Sequence, residues 1–214
     1  MLHQTVFDSA RFFIFLGAAI LLAIAPGPGM LYVLARTLAG GRREGLLSTL
    51  GTFFGGMVHV FAAAAGVSII LAKSAIAFAT VKYLGAGYLC LLGIRMILDA
   101  RKDDGIAPAD LPRGRNPFWQ GILTEALNPK TALFFLSFIP QFVNRGNGHV
   151  FLQFALLGTI SVTLNTSADV AVTLLAGPLG QRIRGSVRFR RRQRKLTGAV
   201  MIGLGTYLAF GESK

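Results

Sequence analysis

The sequence predicts an all-α membrane protein of six transmembrane helices, built as two inverted three-helix repeats in which helices 1 and 4 are broken. Three observations predict it. First, 53% of the 214 residues are hydrophobic and only 14% are charged, against about 25% charged in an ordinary soluble domain. Second, the apolar residues, with a mean hydropathy of +0.57, gather into six runs, each near the roughly 20 residues that a helix needs to cross a hydrocarbon core of about 30 Å. Third, two of those runs, one in each half, carry helix breakers at their centres, the pattern of a midplane site between two repeats. The runs use up most of the chain. It therefore reads as a single transmembrane domain, with repeat 1 over about 10–98, a polar loop over 99–116 and repeat 2 over about 117–212.

The first span is expected from about Phe12 to Leu38, interrupted at Pro26-Gly27-Pro28-Gly29. Two prolines remove two backbone donors, and two glycines permit unusual backbone angles. One proline would kink a membrane helix; two Pro-Gly pairs in a row favour a discontinuous one. Arg11 followed by an apolar run and Ala23/Ala25 imitates a secretory signal. Pro26 after the cut and the apolar residues that resume at Met30 favour an uncleaved helix. A short loop is expected at Ala39–Glu44.

The second span is expected over about Leu46–Leu71, with His59 near its middle and a Gly51-x-x-x-Gly55 pair. Such a pair lets another helix approach closely and offers a route to a homo-oligomer. The third span is expected over about Ile76–Leu98. It holds Cys90, which as the only cysteine excludes an intramolecular disulfide and a cysteine metal site. The polar stretch Asp99–Asn116 follows, with Pro108 and Pro112 and no expected fold of its own.

The fourth span is expected over about Phe118–Phe142, broken near Pro129, with Pro140 near its far end. The fifth is expected over about Val150–Ala176, and the sixth over about Leu196–Phe210. Between them Gln181–Lys195 packs eight Lys or Arg into fifteen residues and reads as a loop. Lys82-x-x-Gly85-Ala86 opens the third span and Lys195-x-x-Gly198-Ala199 the sixth. Each continues into a Leu-Gly pair, Leu92-Gly93 and Leu204-Gly205. With three helices per half, the second copy must be inverted.

The net charge of +13 does not point to nucleic acid, because the bases sit in short loops between apolar runs. It sets orientation instead. Beginning at Arg36, the loops after spans one, three and five hold 3, 5 and 8 Lys/Arg, 16 of the 22. The positive-inside rule makes that side cytoplasmic and places both termini outside. The basic stretch 182–195 either binds anionic lipid or fixes this topology.

Polar residues at membrane depth are the candidate site. An acid or base at the bilayer centre costs about 2.5–3.5 kcal/mol on insertion scales, so it must face protein or a watery cavity. Glu125, Asn128 and Lys130 surround Pro129. They either bind a small zwitterionic substrate, Lys130 taking its carboxylate, or satisfy one another and the carbonyls freed by the proline. Ser161, Asn165, Asp169 and Thr173 recur every four residues and so share one helical face. They form either a hydrogen-bonded seam or, because an acid exceeds what a seam requires, part of a translocation path. Glu125 and Asp169 are the candidate proton carriers. His59 either relays protons or is held by a neighbour. No phosphate-binding loop, no hydrolytic constellation, no metal cluster and no cofactor motif appears, so the chain is not expected to be an enzyme or an ATPase.

Together these pieces resemble the LysE/RhtB family of amino-acid exporters. The resemblance rests on Ala25-Pro-Gly-Pro-Gly29, the run Lys82–Gly93, Leu127-Asn-Pro-Lys-Thr131 with Pro140-Gln-Phe142, the acid of the fifth span, and Lys195-Leu-Thr-Gly198. It spans nearly the whole chain. It implies a six-helix inner-membrane protein that exports amino acids or close derivatives by proton antiport, with the family motifs falling on Pro26, Gly27, Pro28, Gly29, Asn128, Pro129 and Lys130. The basic stretch 182–195 is longer and more charged than the resemblance leads one to expect. The rival readings are a passive channel for small metabolites and a membrane structural or assembly partner.

Overall fold

The computed structural model describes residues 9–73, 75–100, 116–144, 146, 148–185 and 187–210. The regular structure among those residues is all helical, with no strand: α1 (Ser9–Ile24), α2 (Pro28–Lys73), α3 (Ala75–Asp99), α4 (Pro117–Ala126), α5 (Pro129–Leu133), α6 (Val150–Gly185) and α7 (Val187–Phe210). A π-helical turn (Phe134–Phe138) and a 3-10 turn (Ile139–Phe142) continue α5. The expected polar loop lies outside the described residues over 101–115. Two stretches, Pro28–Gly66 and Val150–Ala176, are long and apolar enough to cross a membrane.

α1 ends where Pro26 and Pro28 withhold their N–H groups, and α2 starts at Pro28, a residue suited to a first helical position. The loop expected at Ala39–Glu44 is instead a kink inside α2. Its 46 residues would run about 70 Å if straight, twice the bilayer core, so the helix has to fold back. It does so at Gly41, whose φ of 78° and ψ of −173° belong to backbone space that is essentially glycine-only. A Cβ there would meet nothing within 4 Å. The backbone angle, not crowding, requires the glycine.

The expected loop Gln181–Lys195 also differs. Helix α6 continues to Gly185 and α7 begins at Val187, so the basic stretch is helical on both sides of residue 186. Arginine, lysine and glutamine are good helix formers. A run of bases signals polarity and says nothing against a helix.

The main packing pairs are α2 with α4, α2 with α6, and α3 with α7. Gly51 and Gly55 are where α2 meets α4. A Cβ on Gly51 would sit 3.0 Å from Gly121 Cα, and one on Gly55 2.6 Å from the Ile122 carbonyl. The Gly-x-x-x-Gly pair is therefore occupied within the chain and does not offer itself to a second copy. Phe15, Phe134, Phe138, Phe142 and Phe154 form a buried aromatic cluster beside the break in α1. Large apolar side chains such as Phe13, Leu21, Leu84, Leu152 and Leu175 face outward, a belt too extensive for a monomer surrounded by water.

Candidate functional site

The two breaks face each other. At the first, the last turn of α1 is closed by Ala25 N–H on Leu21 O at 3.0 Å, and α2 opens with Leu31 N–H on Gly27 O at 3.0 Å. In a continuous helix the Leu22 carbonyl would accept from residue 26 and the Ala25 carbonyl from residue 29. Residue 26 is a proline with no N–H to give. The ammonium of Lys130 stands in, donating to Leu22 O at 2.8 Å and to Ala25 O at 2.5 Å.

The second break repeats this logic. Glu125 O would accept from residue 129, again a proline. It receives Asn128 N–H at 3.0 Å and the Nε2 of His59 at 2.9 Å. A carbonyl only accepts, so His59 carries its proton on Nε2. Each break thus has the carbonyl four residues before its proline capped by a side chain from another helix.

Glycine makes the two breaks fit. A Cβ on Gly27 would come 2.9 Å from Lys130 Cδ, and one on Gly29 would overlap Glu125 Oε2. Asn128 caps α5, its Oδ1 accepting from Lys130 N–H at 3.1 Å, and its Nδ2 donates to Glu125 Oε2 at 3.0 Å. Thr131 Oγ1 donates to Glu125 Oε1 at 2.6 Å. Glu125, Asn128 and Lys130 are all buried. The pairing of Glu125 with Lys130 that the sequence allowed is not made: Glu125 takes its donors from Asn128 and Thr131, and Lys130 turns to α1.

A cavity lies between the breaks. It is lined by Gly27, Gly29 and Met30 of the first, Glu125, Asn128, Lys130 and Thr131 of the second, Thr52 of α2, and Ser161 and Asn165 of α6. Phe134 and Phe135, from the π-helical turn, close its apolar wall. The free space is on the order of one or two water molecules. Asp169 and Thr173 lie further along the same α6 face, both fully buried. Asp169 Oδ2 is 3.0 Å from Thr52 Oγ1, and Asp169 Oδ1 has no hydrogen-bond partner.

The LysE type translocator model matches residues 20–212 of this chain. The chain belongs to the LysE type translocator family. Its relatives include an uncharacterised membrane protein of Bacillus subtilis, 31% identical over 196 residues that cover 87% of this chain and 92% of the relative. Another, from Pseudomonas aeruginosa, is 32% identical over 209 residues, covering 92% and 94%. A leucine efflux protein of Salmonella choleraesuis is 28% identical over 202 residues, covering 93% and 94%. No solved structure matches the chain. A LysE-type translocator is a membrane transporter and not an enzyme.

In this translocator Gly27, Gly29, Glu125, Asn128, Lys130, Ser161 and Asn165 line one cavity, while Pro26, Pro28 and Pro129 mark the two breaks beside it without lining it. Asp169 stands one turn beyond, and His59 supports the second break from outside the cavity lining. Thr52 was missed in the sequence. A hydroxyl in an apolar run is weak signal alone, although Thr49 and Thr52, three apart on α2, do put two hydroxyls on one face.

Proposed function

We propose that this translocator exports amino acids or close derivatives across the cytoplasmic membrane in exchange for protons, by alternating access between two inverted halves of three spans each. The observation that carries the reading is the mutual fit of the two breaks: the glycines of one leave room for the charged side chains of the other. A zwitterion suits what faces the cavity. Lys130 has three N–H bonds and gives two to carbonyls. The third remains for a substrate carboxylate, assisted by the positive end of α2, which meets the cavity through Gly29 and Met30. Glu125, Ser161 and Asn165 offer oxygens to an ammonium. Leucine efflux relatives make a neutral aliphatic amino acid the first to try.

Support for inverted halves comes from α3 and α7. A Cβ on Gly93 would lie 2.5 Å from the Gly198 carbonyl, and one on Gly205 2.7 Å from the Ala86 carbonyl. The offset of 112 that carries Gly93 onto Gly205 also carries Ala86 onto Gly198. One contact becomes the other under exchange of the halves, as a two-fold axis in the membrane plane requires. The positive-inside rule then puts the Arg36, Arg95 and 182–195 ends in the cytoplasm and both termini outside.

The test is efflux of a labelled amino-acid panel from proteoliposomes, with and without an imposed pH gradient. Saturable efflux of one class, accelerated by the gradient, is expected. Unsaturable flux indifferent to the gradient would favour a channel, and no flux of any amino acid would remove the reading.

A further inference from the structure

Two acids lie at membrane depth, Glu125 and Asp169, and their surroundings differ. Glu125 is satisfied as a carboxylate, with Asn128 Nδ2 on one oxygen at 3.0 Å and Thr131 Oγ1 on the other at 2.6 Å. Neither oxygen of Asp169 is served in this way. Its Oδ1 is buried with no partner, and its Oδ2 meets only the hydroxyl of Thr52 at 3.0 Å. That hydroxyl lies equally close, at 3.0 Å, to the Thr49 carbonyl. A hydroxyl has one proton to give, and Thr52 faces two acceptors.

The ionised form of Asp169 would leave a charged oxygen bare in the interior, where a charge is far costlier than a neutral polar atom. The charged groups that face it are Glu125 of α4 and Lys130 of α5. Glu125 repels, and Lys130 is held on the carbonyls of α1. With Asp169 neutral the arithmetic closes: Asp169 donates to Thr52, Thr52 donates to the Thr49 carbonyl, and only a neutral carbonyl oxygen is left unpaired.

We propose that Asp169, positioned by Thr52, holds the exchanged proton in this conformation, and that Glu125 does not. This rests on the antiport reading. A row of hydroxyls marks the side of release. Thr173, one turn beyond Asp169 towards the basic end of α6, has its Oγ1 3.5 Å from Thr49 Oγ1 and 3.5 Å from Thr37 Oγ1. Thr37 adjoins Arg36, which joins Glu44 at 3.3 Å and bonds Gln120. When this end opens, water entering along the hydroxyls takes the proton from Asp169. The O–H bond breaks, hydronium leaves, and the new carboxylate accepts from Thr52.

Two readouts test it. Infrared difference spectra of the reconstituted protein, taken on raising the pH, report a protonated carboxyl directly. Its band is expected in the wild type and in Glu125→Gln and is expected to vanish in Asp169→Asn. In Thr52→Val it should shift to the frequency of an acid without a hydrogen-bonded hydroxyl, and Thr52→Ser should return it. In parallel, labelled-leucine efflux is measured as the ratio of flux with a pH gradient to flux without. That ratio should fall to unity in Asp169→Asn, whatever its basal rate. A band that survives Asp169→Asn, or disappears with Glu125→Gln, overturns the assignment, as does an Asp169→Asn protein that still answers the gradient. A wild type indifferent to the gradient brings down the antiport reading instead, while the spectra still decide which acid holds a proton.

Discussion

The Nζ of Lys130 lies 2.8 Å from the carbonyl oxygen of Leu22, the acceptor that the nitrogen of Pro26 would have served in an unbroken helix. A base after the second break thereby repairs the first. Replacing Lys130 with methionine keeps the bulk and removes the donors. Two carbonyls would then be orphaned at about 1–3 kcal/mol apiece. The expected outcome is a lower midpoint in thermal unfolding monitored by size-exclusion, with efflux lost even at temperatures where the variant stays folded.

Gly29 is required by the atom opposite it. An added methyl would overlap Glu125 Oε2, and overpacking of this kind costs about 1–3 kcal/mol. Gly29→Ala should abolish efflux and lower the unfolding midpoint. Gly17→Ala, where a Cβ meets nothing within 4 Å, should leave the midpoint unchanged or raise it slightly, because alanine is the better helix former by about 1 kcal/mol.

His59 and Pro129 should be energetically coupled. The imidazole fills the bond to Glu125 O that Pro129 leaves open. His59→Leu is expected to destabilise by about 1 kcal/mol. Pro129→Ala returns an N–H to that carbonyl, so the same His59→Leu change made in its background should be milder. Additive effects in a double-mutant cycle of unfolding free energies would show that the histidine is not serving the broken helix.

Gly41 carries the fold of α2. Its backbone region costs other residues about 1–3 kcal/mol. Gly41→Ala should lower the unfolding midpoint although no atom is near enough to clash. Gly41→Asn should not rescue it, since asparagine tolerates the left-handed helical region and not this one.

Several of these relationships were legible before the structure. Pro26, Pro28 and Pro129 mark the breaks because a missing N–H is a property of the residue itself. The bounds of α3 and the polar face of α6 follow from apolar run length and from spacing by four. What repairs the breaks was not legible. That Lys130 serves α1 and not Glu125, that His59 serves α4, and that Gly51 and Gly55 are taken by α4 are all meetings across space with no trace in local periodicity. The helical basic stretch and the kink at Gly41 were misread as loops for a related reason. Charge and glycine signal exposure and freedom, and a helix can contain both.

The central claim is that the substrate sits between the two breaks. Its most direct test is protection of an introduced thiol. In a Cys90→Ala background, Asn165→Cys lines the cavity, whereas Trp119→Cys replaces an exposed residue near the start of α4. Modification rates by a small membrane-permeant thiol reagent are measured in proteoliposomes, with and without the exported amino acid. The prediction is concentration-dependent slowing at Asn165→Cys, saturating with the efflux constant, and none at Trp119→Cys. Equal rates at Asn165→Cys with and without saturating substrate, in a variant that still transports, would place the site elsewhere and contradict the account.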